Sequence, residues 1–177
     1  MVVIHKKVDY SFSEDLLKLF SKLTEMHGSW TEALTSIRAT LFKLLITYIR
    51  SEKIELESQK TRSDIAFYMY LLHNLMCDLM PYYTEPDNQF NTINNIMSSG
   101  IFEHSKEIRD MLIDLTGEYI KDSELNNERK EIRTAVSWHI MFADSILKEL
   151  DSFCTEESYP QFPDSGFSSP EGIKTFN

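Results

Sequence analysis

The chain has few of the residues that make tight turns. Its 177 residues include only five glycines and five prolines, whereas β-sandwiches and α/β folds need such residues at many turns. The length suits one domain with a proper core and is too short for two. The shortage of turn residues therefore favours a single domain built from long helices.

Cysteine and basic residues are also scarce. Cys77 and Cys154 are the only cysteines, too few for a disulfide framework or a thiolate zinc site, and they fit a reducing compartment. Lys and Arg number 18 against 28 Asp and Glu, which gives a formal net charge of −10. Because each phosphate contact needs a basic side chain, we expect the globular part not to bind nucleic acid.

Long hydrophobic runs are missing as well. The longest apolar stretches, such as "LLIT" and "YMYLL", are far shorter than a membrane span, and the N-terminal "MVVIHKKVDYSFSEDLL" has no apolar segment of signal-peptide length. We therefore expect a cytosolic protein without a membrane partner.

Motifs of catalysis and cofactor binding are absent from the sequence. It has no Gly-rich phosphate loop, no nucleophile elbow, no Cys-x-x-Cys and no Glu-x-x-His pattern. His73 and Cys77 have the helical spacing of a shared metal, but two ligands do not make a site, and a core histidine beside a buried thiol is the alternative. We predict that the protein is not an enzyme and uses no cofactor or metal.

His139 lies in an apolar stripe next to Trp138. A catalytic base would need a carboxylate or nucleophile nearby, and neither Asp144 nor Glu128 falls on its helical face. The pattern instead favours a histidine bonded to a backbone carbonyl or to a partner side chain within a helix interface. The remaining histidines, His5, His27 and His104, are predicted to be on the surface.

Apolar residues recur at steps of three and four along most of the chain, which predicts amphipathic helices. Ser11 with Glu14, and Ser29 with Glu32, have the spacing of capping boxes at the first two helix starts. The predicted helices cover residues 13–26, 30–51, 64–80, 89–98, 102–121 and 128–153, the last with a bend near 143–144.

Two of these helices, 64–80 and the one from 128, are apolar on two faces. A helix of this kind must bury both faces, and one small protomer cannot cover them all. We therefore expect part of this surface to be buried in a homodimer, most simply across a two-fold axis.

Residues 156–177 differ from the rest of the chain. They hold three of the five prolines and show no helical period, which indicates an extended Pro-rich arm following a helical domain over 1–155. Tyr159, Phe162 and Phe167 are unusual for a disordered tail, since such tails are poor in aromatic residues.

The stretch "EIRTAVSWHIMF" followed by "SILKELDSF" resembles the fourth and fifth helices of hepatitis B virus core proteins. An Ile-Arg pair precedes an aromatic-His-Ile triplet in both, and the next helix ends in Ser-Phe. The order of elements is similar too, and "SYPQFP" resembles the family's Tyr- and Pro-rich segment. The matching residues in the helical stretch are Ile132, Arg133, Trp138, His139, Ile140, Ser152 and Phe153.

The resemblance implies an all-α fold in which a helical hairpin dimerises into a four-helix-bundle spike, above a base of shorter helices and with a Pro-rich C-terminal arm. It implies a dimer interface at Phe67, Leu71, Leu75, Cys77, Leu79, Ile132 and Val136. It also implies a structural junction at Arg133, Trp138, His139 and Phe153, and contacts between dimers at Tyr159, Phe162 and Pro163.

The function implied is that of a capsid protein, which assembles into an icosahedral shell around viral nucleic acid and is found in the virion and in the host cytoplasm or nucleus. Cys77 could form a disulfide across the dimer once oxidised, and a buried free thiol is the alternative. A longer segment between the third helix and His139 implies an enlarged hairpin tip, and together with a shorter arm it suits a nackednavirus, a non-enveloped fish relative.

The family binds nucleic acid through an arginine-rich tail, and this sequence ends at "EGIKTFN" without one. We expect the chain to be truncated after its assembly domain. A helical protein–protein interaction module, such as a viral Bcl-2-like antagonist, is the alternative, since the size, acidity and helix number permit a groove for a partner helix.

Overall fold

The computed structural model describes residues 12–84, 92, 95–96, 98–122 and 128–157. These residues form helices and connecting turns with no strand, so the all-α prediction is confirmed for this part of the chain. Of the arm predicted over 156–177, Glu156 and Glu157 belong instead to the last helix, and residues 158–177, with Tyr159, Phe162 and Pro163, lie outside the described residues. None of the described helices combines the length and apolarity needed to cross a membrane.

Seven α-helices are described. They are α1 (Glu14–His27), α2 (Trp30–Arg50), α3 (Lys53–Leu56), α4 (Gln59–Asp78), α5 (Pro81–Thr84), α6 (Ser105–Lys121) and α7 (Lys130–Glu157), with a 3-10 turn at Phe102–His104 before α6.

The helix starts follow from serine caps. Ser29 Oγ accepts a hydrogen bond from the Glu32 amide at 3.2 Å, as the capping-box spacing predicts. The first helix is capped by Ser13 and not by the predicted Ser11, since Ser13 Oγ accepts from the Leu16 amide. Ser58 caps α4, which therefore begins five residues before the predicted position 64.

Gly28 ends α1 in the left-handed conformation, with φ at +86°. Its amide donates to the Thr24 carbonyl oxygen at 2.9 Å, and this closes the last turn. A Cβ atom at this position would lie 3.1 Å from a carboxylate oxygen of Glu32. The conformation favours glycine because it carries no Cβ.

The last helix is continuous over 28 residues. The helix is not interrupted at the bend predicted near 143–144. The two helices that the resemblance implies for this stretch therefore form one helix. The physical reason lies in the sequence, which has no Gly or Pro between 130 and 157 and keeps apolar residues in helical register. The buried residues of α7 at and past the predicted bend are Ala143, Ile146, Leu147 and Leu150.

The central helix is α2, which packs against α1, α4, α6 and α7. The main neighbours of α4 are α2 and α6, and those of α7 are α6, α1 and α2. The helix predicted over 64–80 and the helix from 128 are therefore not packed against each other as a hairpin within one protomer. Both helices instead cover most of their second apolar face within the protomer.

Five aromatic rings meet at Phe20 in the core. Its ring centroid lies 4.7 Å from that of Trp30, 5.2 Å from Phe142, 5.6 Å from Phe12 and 5.9 Å from Tyr82. The indole Nε1–H of Trp30 donates to the Leu79 carbonyl oxygen at 2.9 Å. This cluster joins α1, α2, α5, α7 and the end of α4.

Two polar contacts position α7. Two residues before its start, Glu128 accepts a hydrogen bond from Tyr119 Oη at 2.5 Å and pairs with Lys43 of α2. In its middle, Asp144 pairs with Arg109 Nε of α6 at 2.7 Å. Partial burial opposes the charge of Asp144, but hydrogen bonds from Arg109 and Lys148 hold its pKa below the ordinary value.

We predict that Phe142→Ala lowers the free energy of unfolding by about 3–5 kcal/mol, because it leaves a cavity in the aromatic cluster. Urea denaturation followed by circular dichroism measures the change. Ile113→Ala is the control, since this α6 side chain is 69% exposed and its loss should cost less than about 0.5 kcal/mol. Equal losses from both variants would contradict the assigned core.

Candidate functional site

The structure places His139 where α7 crosses α1 and α2. The side chain is only 3% exposed. Its neighbour Trp138 is half-buried and Arg133 is exposed, so these two do not share the buried site. The side chain of Phe153 lies outside the described residues.

The imidazole of His139 has a polar partner on each ring nitrogen. Its Nε2 lies 2.9 Å from Nε2 of His27 on α1, and its Nδ1 lies 2.7 Å from Oγ1 of Thr40 on α2. The two imidazole rings are tilted by 31° with centroids 5.0 Å apart. We call these three residues the histidine cluster.

The chemistry of the histidine cluster is proton binding. With both rings neutral, one Nε2 carries the hydrogen and the other accepts it, and the Thr40 hydroxyl can donate to or accept from Nδ1. Burial lowers the pKa of His139 from 6.5 to about 4, and the charge of His27 acts in the same direction. His139 is therefore neutral at neutral pH.

His27 and Thr40 were not recognisable as a site from the sequence. His27 was predicted to be on the surface, but it is half-buried and faces His139. The three residues are separated by 112 and 99 positions along the chain, and a single sequence carries no signal for such contacts. The apolar stripe around His139 was the one usable sign.

Most of the predicted dimer-interface residues lie in the core of the single chain. The dimer interface at these residues stays a prediction, and it would require rearrangement, because side chains covered by their own protomer cannot contact another as they stand. Leu71, Leu75, Leu79 and Val136 are buried, Cys77 is a half-buried free thiol, and Phe67 and Ile132 are exposed.

Of the two other described histidines, one is half-buried and one is exposed. His104 is half-buried, with its ring 5.6 Å from those of Phe67 and Tyr68, which corrects the surface prediction. His73 is exposed, and its Nε2 lies 3.3 Å from Nη2 of Arg38. No group of three or more metal-ligating side chains occurs within the described ranges.

Comparisons with protein-family models, with curated proteins and with solved structures gave no match to this chain.

We predict that His139 makes the protein less stable in acid. As the pH falls below 6.5 the unfolded chain takes up a proton at this residue, whereas the folded chain does so only near pH 4. The folded state should therefore lose about 3 kcal/mol between these values.

Urea denaturation of His139→Gln at pH 7, 5.5 and 4 tests this prediction. The variant should show a shallower fall in stability with pH than the unchanged protein. His73→Gln is the matched control, because this histidine is exposed and should leave the pH dependence unchanged. Parallel curves for the unchanged protein and His139→Gln would show that His139 is not the group responsible.

Proposed function

We propose that this chain is a capsid protein of the hepatitis B virus core type, most similar to those of nackednaviruses. In this proposal it forms homodimers and the dimers assemble into an icosahedral shell around viral nucleic acid. It acts in the virion, and in the host cytoplasm or nucleus during assembly. The all-α fold and the resemblance of residues 131–153 to the family's helical stretch support the proposal.

The observation that carries the proposal is an exposed apolar surface along α2 and α4. Phe42 is 62% exposed, Tyr70 61% and Ile49 53%. Leu45 on α2 and Ala66 on α4 lie beside them on the outer sides of the two helices. Contiguous apolar surface of this kind marks interaction sites in soluble proteins. We call these five residues the α2/α4 face.

The α2/α4 face suits contact with a second copy of the chain. The described residues lining the groove between the two helices include Arg38 and His73 and no carboxylate. Two chains that each carry a net charge of −10 could therefore meet here without bringing acidic groups together.

In this proposal the dimer uses the outer sides of α2 and α4 in place of the interface that the resemblance implies. Cys77 follows Tyr70 and His73 at helical steps of three and four, so it lies on the same side of α4. A two-fold axis near this end of α4 would bring the two thiols together for a disulfide under oxidising conditions.

Shell formation would combine apolar burial with charge repulsion. Weak contacts between dimers keep assembly reversible, and salt favours it by screening the acidic subunits. Nucleic acid would be held by a basic tail rather than by the acidic helical domain. Tyr159, supported by Phe162 and Pro163, is proposed to insert into the neighbouring dimer.

We predict that Phe42→Glu converts the dimer into a monomer. The change puts a carboxylate into the apolar contact on both sides of the two-fold axis, so the dissociation constant should rise by at least about 100-fold. Sedimentation velocity over a concentration series measures it. Ile113→Glu adds the same charge at an exposed site on α6 and should remain dimeric. Dimers of unchanged affinity in Phe42→Glu would rule out this face.

We predict that the unchanged protein forms uniform hollow particles in moderate salt and that Tyr159→Ala gives folded dimers without particles. The tyrosine ring is the proposed anchor between dimers, and such buried aromatic anchors dominate interface energies. Negative-stain microscopy and circular dichroism measure the two outcomes. Normal particle yield in Tyr159→Ala would refute its role, and only small species from the unchanged protein at all salt and protein concentrations would refute the capsid function.

A second candidate function, a helical interaction module of the Bcl-2-like type, draws on the same groove. A cavity of about 250 Å³ lies between α2 and α4, with Leu41, Met69 and Tyr70 among its lining residues. An amphipathic helix from a partner could enter such a groove. Under this alternative the unchanged protein binds a helical peptide at the α2/α4 face and forms no particles.

A further inference from the structure

A second exposed apolar surface lies on α6, on the side of the helix that faces away from the core. Ile113 is 69% exposed and Ile120 65%, and Gly117 lies between them at helical steps of four and three. We call these three residues the α6 face. The buried apolar residues of α6 lie on the opposite side of the helix and are Ile108, Met111, Leu112, Leu115 and Tyr119.

The fold of the single chain does not require glycine at position 117. Gly117 lies within α6 and its φ is not positive, so its backbone is ordinary helix. A Cβ atom at this position would meet no atom of the described residues within 4 Å outside its own helical turn. Glycine inside a helix is destabilising relative to alanine. No packing within the described part of the protomer offsets this loss.

The two isoleucines are also unusual at these positions. The solvent side of a surface helix is normally polar, and strong helix formers such as Lys, Glu and Gln suit it best. Positions at which a sequence departs from these local rules tend to be functional. A glycine between two large apolar residues lets the backbone of another helix approach closely, while the flanking side chains pack on either side of the crossing point.

We propose that the α6 face binds the α6 face of a second copy of the chain, with the two helices antiparallel and crossing at Gly117. Residues before the crossing point then meet residues after it in the other copy. At a rise of 1.5 Å per residue, Ile113 of one copy lies within about 1.5 Å of Ile120 of the second copy along the helix axis. Each exposed isoleucine thus gains an apolar neighbour.

Charge favours the antiparallel direction. Asp114 and Lys121 are seven residues apart, so they lie on the same flank of the α6 face, and their side chains are 65% and 73% exposed. Antiparallel packing brings Asp114 of each copy within about 1.5 Å of Lys121 of the other along the axis, whereas parallel packing leaves them about 10 Å apart. Two copies that each carry a net charge of −10 therefore meet here with opposite charges aligned.

Both charged residues already have a partner in their own protomer. Lys53 of α3 lies 3.1 Å from Asp114. Glu118 lies 2.8 Å from Lys121. Exposed pairs of this kind hold their partners only weakly, so the contact can join them into one network of alternating charge on each side of the two-fold axis.

One helix from each copy buries little area, so the contact should be weak. It should form at protein concentrations well above those at which the proposed α2/α4 dimer forms. The contact does not rest on the capsid function or on the α2/α4 face. If both faces are used, a chain with two self-complementary faces links dimers into larger assemblies.

Cysteine cross-linking tests the contact and its direction. Ile113→Cys and Ile120→Cys are made as separate proteins, each with Cys77→Ser and Cys154→Ser, and are then mixed under mild oxidation. The mixture should give at least about fivefold more covalent dimer than either protein alone at the same total concentration. The reason is that identical positions lie about 9–12 Å apart in the antiparallel contact, beyond the reach of a disulfide.

Two outcomes of the cross-linking would overturn the proposal. A high yield from Ile113→Cys alone would mean that the helices meet in parallel. Equal yields from the mixture and from the separate proteins would mean that the α6 faces do not meet. Either result can occur whether or not the α2/α4 dimer forms, so the two interfaces are tested separately.

Gly117→Gln separates a role in contact from a role in the fold. Glutamine is the better helix former and has open space at this position, so the thermal midpoint should rise by about 2 °C. The added side chain keeps the helices apart, so the yield of the cross-linking mixture should fall at least about fivefold.

Ser21→Gln is the matched control, because it adds the same side chain at an exposed position of α1 and should cross-link as the unchanged background does. A lower thermal midpoint in Gly117→Gln would mean that the protomer itself needs this glycine. An unchanged cross-linking yield would mean that no helix crosses there. Either result would overturn the proposal.

Discussion

The packing of α2 against its neighbours is the constraint on which the rest of the structure depends. Trp30, at the first position of α2, contacts Phe20 of α1 and donates a hydrogen bond to the end of α4. Thr40, further along, meets the histidine of α7. Because one rigid helix carries these contacts, the positions of α1, α4 and α7 are linked. This linkage places a polar histidine cluster inside an otherwise apolar junction.

Much of the helical architecture could be predicted from the sequence because it rests on local physics. Serine caps, Gly28 and the three-and-four spacing act within a few residues, so the bounds of α1 and α2 were predicted to within one residue. The extent of α4 was missed because Ser58 was not recognised as its cap. Helix neighbours could not be predicted, since two apolar faces on α4 indicate burial but not whether the cover is another helix of the same chain.

The functional sites, too, could be predicted only as far as they depend on neighbouring residues in the sequence. The sequence identified His139 as a residue of a helix interface, but its partners lie 99 and 112 positions away. Gly117 is an isolated glycine in the helical pattern of α6, and only tertiary structure shows the open space beside it within the described part of the chain. The proposed dimer face could not be predicted either. Phe42 and Ile49 recur at helical spacing, and apolar residues in such a pattern are expected to be buried.

The unbroken length of α7 has a geometric consequence. At a rise of 1.5 Å per residue, 28 residues span about 42 Å, and His139 is about 27 Å from the last residue, Glu157. An α-helix is stiff along its axis, so the number of residues fixes both the distance and the direction in which the chain leaves. Inserting one residue after His139 would turn that direction by about 100° around the axis. The helix therefore sets where its own last turn lies relative to the histidine cluster.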